Sequence, residues 1–567
     1  MRGFRWQLLI ALGGLILVFA LLRTQAREPG IPAPVAVEGG AYVEALVGQV
    51  VRLNPLLDRY NQVDRDIDRL IYRGLVRADA RGLPQPDLAQ GWAVSADATL
   101  YTLTLREDAL WHDGRPVTSD DVVYTFSKFQ NEDYPGPPDL HEFWQQVKIT
   151  RLDERTVQFQ MPEPFAPFLD YLTTGLLPEH LLRGVSAGDL VEHPFNLQPV
   201  GAGPFRFEKF ILEQGAIRGV SLVGFEQYDV RRPYLERIEF LLFPDDPSAM
   251  AAFVAGEVDG LGQVGRSILG QVLLESQLNL YSARLPSIGV VFLHLKNPAK
   301  PFLGQKEVRQ ALLLALNRQW LIDRVFAGQG VVPAGPILPD TWAFAERLQP
   351  PPFDPQRAGE LLDAEGWTLP TGAAPRTAEY VRSKDGESLG FTLVYPDDEL
   401  HREVALALQD DWSLIGVRVE LAPVRGEDIL PRYLEARDYE AVLTDLNFLG
   451  EADPDPYPFW HDSQAGAGQN YADYTDRNTS VWLEQARITP DLGRRADLYR
   501  NFQVRFQDQV PALLLYIPVY SFAMDAAMEG VSVGPFTEPS DRFSSVVGWH
   551  LLARQSLGSV LFGTSAP

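Results

Sequence analysis

Residues 86–126, PDLAQGWAVSADATLYTLTLREDALWHDGRPVTSDDVVYTF, predict a strand, a turn and a helix in close succession. Tyr101, Leu103 and Leu105 alternate with threonines, which is the period-two pattern of a half-buried strand. The segment WHDGRP supplies a glycine turn, and Thr118 and Asp121 then have the spacing of a capping box at the start of a helix. The stretch therefore favours a fold that mixes strands and helices.

Strands and helices keep alternating on both sides of this stretch. The segment RTVQFQMPEPF places Val157, Phe159 and Met161 on one face, as in a half-buried strand. Further strands are predicted in RIEFLLFPDD, SLGFTLVYP and VRVELAPV, and further helices in SAMAAFVAGEVD and REVALALQDDWSLIG. This alternation indicates an α/β fold whose sheets are at least partly parallel.

The segment 306–326 and the residues after it carry clear helix signals. Apolar residues keep helical spacing throughout 306–326, so we expect one continuous helix there. Asp354 and Pro355 predict the N-cap and first residue of another helix, which Gly366 would end. Residues 368–388 are polar and predict an exposed insertion.

The N-terminus has the pattern of an export signal. Arg2 and Arg5 precede residues 8–22, LLIALGGLILVFALL, which carry no charge. This run is short for a membrane-spanning helix, which needs ~20 apolar residues. We therefore expect residues 1–39 to be a cleaved signal or an N-terminal membrane anchor followed by a proline-rich linker, with the rest of the chain extracytoplasmic.

Composition excludes several classes of function. The chain has 567 residues, a formal net charge of −25 and no strong cluster of lysine or arginine, so we expect no nucleic-acid partner and little attraction to anionic membranes. It has no cysteine, which excludes disulfides, thiol nucleophiles, iron–sulfur clusters and a lipid-modified N-terminal cysteine.

Motifs for cofactors, metals and catalysis are weak. Residues 260–265 match the glycine pattern of dinucleotide sites but lack an acidic residue about 20 positions later. Residues 64–68 imitate the start of a calcium loop, but Arg69 and Leu75 stand where glycine and glutamate are needed, and an amphipathic helix suits them better. The histidines are scattered without metal-ligand spacing. We therefore expect no cofactor, no metal ion and no catalytic residue.

Residues 450–460, GEADPDPYPFW, form a segment that we call the acidic loop. Two aspartates are each followed by proline, and three aromatic residues follow them. Proline fixes φ and removes a backbone donor, which excludes a helix interior or a central strand. The composition predicts a stiff, acidic and aromatic loop.

The order of several segments resembles one protein family. The stretch 86–126 is followed by GAGPFRFEKF, RRPYLERIEFLLFPDDPSAMAAFVAGEVDG, VFLHLKNPAKPFLGQKEVRQALLLALNR and DPQRAGELLDAEGW, and then by the acidic loop and RRADLYRNFQVRFQDQVPALLLYIPVY. Together these segments resemble extracellular solute-binding protein family 5, the oligopeptide-, dipeptide- and nickel-binding proteins of ABC importers. The resemblance covers about residues 40–560.

This resemblance implies a two-lobed periplasmic-binding-protein type II fold with an extra domain inserted in the first lobe. Lobe I would be discontinuous, with an inserted subdomain, and lobe II continuous. The predicted ranges are 40–70, 196–284 and 525–563 for lobe I, 71–195 for the inserted subdomain and 285–524 for lobe II. The chain would cross between the lobes twice, and these crossings would be the hinge of ligand-dependent closure.

The family also implies a function and a site. The chain would be a monomeric, non-enzymatic subunit that binds peptides and delivers them to a permease with a cytoplasmic ATPase. In peptide-binding members an aspartate of the acidic loop pairs with the ligand's α-ammonium, and here Asp453 or Asp455 would take that role. Phe448, Tyr457 and Trp460 would line the pocket or pack beneath it. We expect Asp453→Asn to weaken binding of free-amine peptides and leave the fold intact.

Other functions stay open on the sequence alone. The family includes binders of other solutes, and the eleven tryptophans would suit an oligosaccharide, while a metal chelate is a further choice. A secreted hydrolase with paired carboxylates is the alternative from another class. A sensor or chaperone that works without an importer is the third.

Overall fold

The computed structural model describes residues 36–534 and 536–552, and at residues 36, 37 and 552 it describes the backbone alone. The predicted apolar segment at residues 8–22 and most of its linker lie outside this range. Within the described residues, none of the helices has the length and apolar character to cross a membrane.

The strands of the described residues are as follows. They are Ala36–Val37, Ala41–Val47, Val76–Ala78, Pro84–Pro86, Ala89–Val94, Leu100–Leu105, Lys148–Arg151, Thr156–Gln160, Phe205–Glu213, Ala216–Gly224, Arg237–Phe243, Gly260–Leu261, Leu278–Arg284, Ser287–Leu293, Gly330–Val331, Ser383–Lys384, Glu387–Ser388, Gly390–Pro396, Arg418–Val424, Ala441–Asn447, Ala512–Asp525, Met528–Glu529 and His550–Leu552.

The helices lie between these strands. The α-helices are Gln62–Ile71, Ser119–Phe129, Pro138–Gln145, Glu179–Leu182, Asp246–Ala255, Arg266–Val272, Lys306–Leu314, Arg318–Val325, Pro355–Ala364, Glu399–Leu414, Gly426–Asp428, Tyr457–Trp460, Arg477–Arg487 and Leu492–Gln509. The 3₁₀ helices are Ala166–Leu172, Asp189–Glu192, Pro194–Leu197, Pro301–Gly304, Asp462–Gln464 and Pro539–Gly548, and a π-helical turn covers Ile429–Leu434.

One mixed sheet runs through both lobes. Its strand order, among the described residues, is 418–424, 390–396, 441–447, 287–293, 512–525, 260–261, 41–47, 237–243, 216–224 and 205–213. The strand 390–396 is parallel to both of its neighbours, and 41–47 is parallel to 237–243 and 260–261, as the α/β pattern predicts. The strand 287–293 is antiparallel to both of its neighbours, 441–447 and 512–525.

The strand Ala512–Asp525 belongs to both lobes. Its first half, up to Tyr516, pairs with Ser287–Leu293 of lobe II. Its second half, from Val519, pairs with Leu278–Arg284 of lobe I. The domain boundaries themselves stay a prediction.

The two chain crossings between the lobes lie side by side. Leu285 donates its backbone N–H to the carbonyl of Pro518 at 2.8 Å, which joins the short link 284–287 to the middle of the long strand. Pro286 and Pro518 cannot donate backbone hydrogen bonds, so the ladder is weakened along this line. The assignment of these links as the hinge between the lobes stays a prediction.

The inserted subdomain is built on a four-stranded antiparallel sheet, in the order 89–94, 100–105, 156–160 and 148–151. Its aromatic core includes Phe126, Trp144 and Phe159, with ring centroids 4.7–6.1 Å apart. This core is continuous with that of lobe I, so the subdomain and lobe I are packed as one unit.

Most of the predicted elements are confirmed. The strand Leu100–Leu105 buries Tyr101, Leu103 and Leu105, and the helix Ser119–Phe129 begins with the predicted capping box of Thr118 and Asp121. Asp354 caps Pro355–Ala364 through the Arg357 N–H at 2.8 Å. The calcium-like stretch lies on the helix Gln62–Ile71, as its apolar spacing predicts.

The prediction of one helix over 306–326 is wrong. The chain forms two helices, and Asn317 caps the second by accepting the Trp320 N–H at 3.1 Å. The Asn317 N–H is itself bonded to the Asp411 carboxylate at 2.7 Å, and buried Arg318 donates to the carbonyl of Leu514 at 3.0 Å. These contacts compensate for the interruption of the helix.

The segment 368–388 is exposed over most of its length, with one exception. Arg382 is buried and donates to the carbonyls of Trp367 and Ile415 at 2.6 and 2.8 Å. Arg382 therefore anchors the otherwise exposed segment 368–388 to lobe II.

Candidate ligand-binding site

The acidic loop lies where lobe II meets lobe I. It follows the strand Ala441–Asn447, turns at Gly450 with φ +80°, and ends in the short helix Tyr457–Trp460. The Gly450 N–H donates to the carbonyl of Thr537 in lobe I at 2.9 Å. A Cβ at Gly82 of the inserted subdomain would come within 2.7 Å of the Ala452 carbonyl oxygen, so glycine is required for this close approach.

Asp453 forms a bidentate ion pair with Arg495, on the helix Leu492–Gln509. The two N–O distances are 2.6 and 2.7 Å, and the side chains are 11% and 2% exposed. Arg495 also donates to the Tyr499 hydroxyl at 3.0 Å and lies 5.0 Å from the ring of Trp342. Burial raises the pKa of Asp453, and the guanidinium opposes this shift.

Asp455 pairs with a second arginine. Its carboxylate accepts from Arg487 at 2.7 Å. The Arg487 guanidinium lies 3.9 Å from the Tyr457 ring and 5.6 Å from the ring of Phe165 in the inserted subdomain. Both aspartates that the sequence offers as ligand contacts are thus already paired within the protein.

Asp170 of the inserted subdomain approaches the loop from the opposite side. Its carboxylate accepts the backbone N–H of Asp453. Burial and the neighbouring charges of Asp453 and Glu451 raise the pKa of Asp170 well above its usual value, while the N–H groups of Asp453 and Ala452 oppose this. The sequence analysis did not identify this residue.

Glu451 differs from the other carboxylates of the acidic loop. Its side chain is exposed and forms no hydrogen bond or ion pair with residues 36–534 and 536–552. Desolvation by the surrounding protein and repulsion from Asp455 raise its pKa to about 7. Glu451 is therefore partly desolvated by neighbouring protein but still accessible to water. This is the environment expected for a carboxylate in the wall of a cleft.

The comparisons with known proteins agree with this architecture. The family model of the bacterial extracellular solute-binding proteins, family 5, matches residues 84–469. This chain belongs to that family.

Several relatives of this family 5 protein are similar over most of their length. The oligopeptide-binding protein AppA of Bacillus subtilis is 25% identical over 506 residues, which are 88% of this chain and 90% of AppA. The dipeptide-binding protein of Escherichia coli is 26% identical, covering 76% and 80% of the two chains. The nickel-binding periplasmic protein of the same organism is 28% identical, covering 83% and 87%.

Solved structures show the same fold. The structure of Bacillus subtilis AppA in complex with a nonapeptide superposes with a TM-score of 0.67 at 24% identity, covering 91% of this chain and all of AppA. HbpA2 of Haemophilus parasuis gives a TM-score of 0.78 at 21% identity, covering 90% and 100%. The family 5 fold, with two lobes and an inserted domain, is therefore shown.

The three aromatic residues predicted for the site lie at different depths. Trp460 is 1% exposed and packs against Phe506, with ring centroids 4.7 Å apart, beneath the loop. Phe448 and Tyr457 are half-buried; Tyr457 stacks on His461 at 4.1 Å. Trp460 therefore supports the acidic loop from within lobe II.

The sequence located the loop of this family 5 protein but not its partners. Arg487, Arg495 and Asp170 carry no local signal, because each meets the loop only through the fold. The ion pairs also change one expectation. Asp453→Asn would leave buried Arg495 without its carboxylate, so a loss of stability has to be separated from a loss of binding.

Proposed function

We propose that this solute-binding protein serves an ABC importer outside the cytoplasm, and that it binds peptides in the cleft between its lobes. The names of AppA and of the Escherichia coli dipeptide-binding protein support peptides as the ligand class. A permease with a cytoplasmic ATPase would receive the closed, loaded form. The protein would act as a monomer and without catalysis.

The observation that carries this proposal is the arrangement of charges in the acidic loop. Asp453 and Asp455 are neutralised by Arg495 and Arg487, whereas the exposed Glu451 side chain has no such partner in the described residues. An ammonium group that leaves water needs a charge-assisted partner. We assign that role to Glu451, with the two aspartates holding the loop in shape.

The loop is suited to this task because it is stiff. Pro454, Pro456 and Pro458 restrict its backbone in the free protein, so less conformational entropy is lost when the ligand is ordered. Strands at the cleft could bind the peptide backbone and tolerate many side chains, as in other β-strand additions.

The first test identifies the ligand directly. The full-length protein is purified from a native-like host and denatured, and the released molecules are analysed by mass spectrometry. A mixture of short peptides is the expected result. A single sugar or metal chelate would overturn the peptide assignment.

The second test separates the carboxylates by calorimetry, with a free-amine peptide and its N-acetylated form. Glu451→Gln should weaken binding of the free-amine peptide by roughly tenfold or more, because a charge-assisted hydrogen bond contributes about 1.5–3 kcal/mol. Binding of the acetylated form should stay unchanged. Glu154→Gln, an exposed acid on a distant turn, is the matched control.

Asp453→Asn is measured in parallel, together with its unfolding midpoint. We expect lower stability and weaker binding of both peptides. If Asp453→Asn removed only the preference for a free amine while Glu451→Gln had no effect, Asp453 and not Glu451 would be the ammonium ligand.

A further inference from the structure

The contact between Asp170 and the acidic loop joins two lobes that must separate for a ligand to enter. Asp170 lies on the 3₁₀ helix Ala166–Leu172 of the inserted subdomain, and Asp453 belongs to lobe II, 283 positions away in the chain. The hydrogen bond from the Asp453 N–H to the Asp170 carboxylate can form only when the lobes are together. Its partners are a backbone group on one side and a side chain on the other.

The same contact brings like charges together. The Asp170 carboxylate binds the backbone N–H of Asp453, and Glu451 is two positions earlier in the same loop, so a third acidic side chain joins the two that the loop already carries there. Arg495 compensates Asp453, but neither Arg495 nor Arg487 forms an ion pair with Glu451. Closure therefore forms a hydrogen bond but also brings negative charges together, which is electrostatically unfavourable. The balance between the two depends on the charge that enters between the lobes.

Other contacts across the lobes lack this conflict. Trp342 donates its backbone N–H to the Arg81 carbonyl at 3.0 Å, and Arg266 of lobe I pairs with Glu403 of lobe II at 2.9 Å. Both are favourable in the closed arrangement whatever the ligand's charge. Asp170 differs from these two contacts because it meets a loop that carries further acidic side chains.

We propose that Asp170 is a positioning residue that couples closure of the lobes to the positive charge of the ligand. A ligand ammonium beside Glu451 offsets the repulsion across the interface, and the Asp170 hydrogen bond to the acidic loop then holds the lobes together. A neutral ligand of the same shape leaves the repulsion in place. The identity of the charged ligand rests on the proposed function, whereas the cross-lobe repulsion does not.

Two substitutions separate the charge of Asp170 from its hydrogen bond. Asp170→Asn keeps an oxygen that can accept the Asp453 N–H and removes the negative charge. Asp170→Ala removes both. Glu154→Gln, in the same subdomain, changes the net charge equally at a distance from the loop and is the control.

Closure is measured on the full-length protein by energy transfer between two dyes. The chain has no cysteine, so Glu132→Cys in the inserted subdomain and Thr371→Cys in lobe II give two unique attachment sites on exposed residues. Without ligand, we expect the closed fraction to rise in Asp170→Asn and to fall in Asp170→Ala. Equal closed fractions in the wild type and both variants would overturn the proposal.

Binding provides the second measurement. The ratio of dissociation constants for N-acetylated and free-amine peptides should fall by roughly fivefold in Asp170→Asn, the low end of typical coupling between sites. A purely structural role would leave this ratio unchanged. An unchanged ratio beside normal peptide binding would reject the coupling and leave the proposed function intact. If neither peptide bound the wild type, the proposed function would fail, and the ligand-free measurement would still decide the role of Asp170.

Discussion

Two buried arginines with bidentate carboxylate partners lie in different parts of this molecule. Arg542 is fully buried in lobe I, where it binds Glu44 at 2.7 Å and Asp66 at 2.8 Å. Arg495 binds Asp453 with similar distances, but on a loop at the interface of the lobes. Arg542 thus has two carboxylate partners and Arg495 one, and their surroundings also differ.

The surroundings decide what each pair does. Glu44 is on the central strand Ala41–Val47 and Asp66 on the helix Gln62–Ile71, so Arg542 joins two elements within lobe I. The partner of Arg495 is on a loop whose backbone is also held by the other lobe. An ion pair in a core stabilises the fold, whereas one at a moving interface sets the position of a functional segment.

The sharpest way to break the comparison is to remove Arg542. Arg542→Leu leaves two buried carboxylates without a counter-charge and should lower the free energy of unfolding by about 3–5 kcal/mol. Urea denaturation measures this loss. Arg425→Leu is the control, because its pair with Asp428 is largely exposed on the arginine side and should contribute less than about 1 kcal/mol. Equal losses in the two variants would contradict the distinction.

Removing Arg495 should have a smaller effect on stability and a larger one on binding. Arg495→Leu leaves Asp453 unpaired at a partly accessible interface, and we expect about 1.5–3 kcal/mol of lost stability. The loop then loses its fixed position, so affinity for any peptide should fall. If Arg495→Leu lost stability but bound peptides normally, the loop would not depend on this pair.

The smallest predicted effect is a dependence of binding on pH. Glu451, with a pKa raised to about 7, must be ionised to attract an ammonium group. Affinity for a free-amine peptide should therefore fall as the pH drops from 7 to 5, and it should level off near the affinity of Glu451→Gln, because protonated Glu451 carries no charge. Peptide ammonium groups stay protonated over this range, so the change reports on the protein. Glu451→Gln should abolish the dependence, and a wild-type affinity that is flat over this range would contradict the assignment.

Local patterns in the sequence predicted the elements that depend on local interactions. Alternation gave the strand Leu100–Leu105, and the capping box gave the helix Ser119–Phe129. The interruption at Asn317 could not be predicted, because its N–H is bonded to Asp411, 94 positions away. Helical periodicity continues through such a break, since both halves bury apolar residues.

In the candidate site, too, local sequence predicted one part, and the other part depends on residues that are distant in the chain. Prolines and acids in adjacent positions identified the acidic loop, and the family resemblance placed it beside a cleft. Which carboxylate remains available depends on Arg487, Arg495 and Asp170, which approach from other elements. The choice between Asp453 and Asp455 in the sequence therefore became a proposal for Glu451 once their partners were known.

The strand Ala512–Asp525 has a mechanical consequence. One uninterrupted strand is bonded to the sheets of both lobes, so the lobes can rotate about it but cannot slide past each other without breaking its ladder. Amide protons on both halves of this strand should then exchange slowly with solvent even while the cleft opens. Opening then has to break contacts away from this strand, such as the hydrogen bond between Asp170 and the acidic loop, so a variant that weakens this bond should speed solute release.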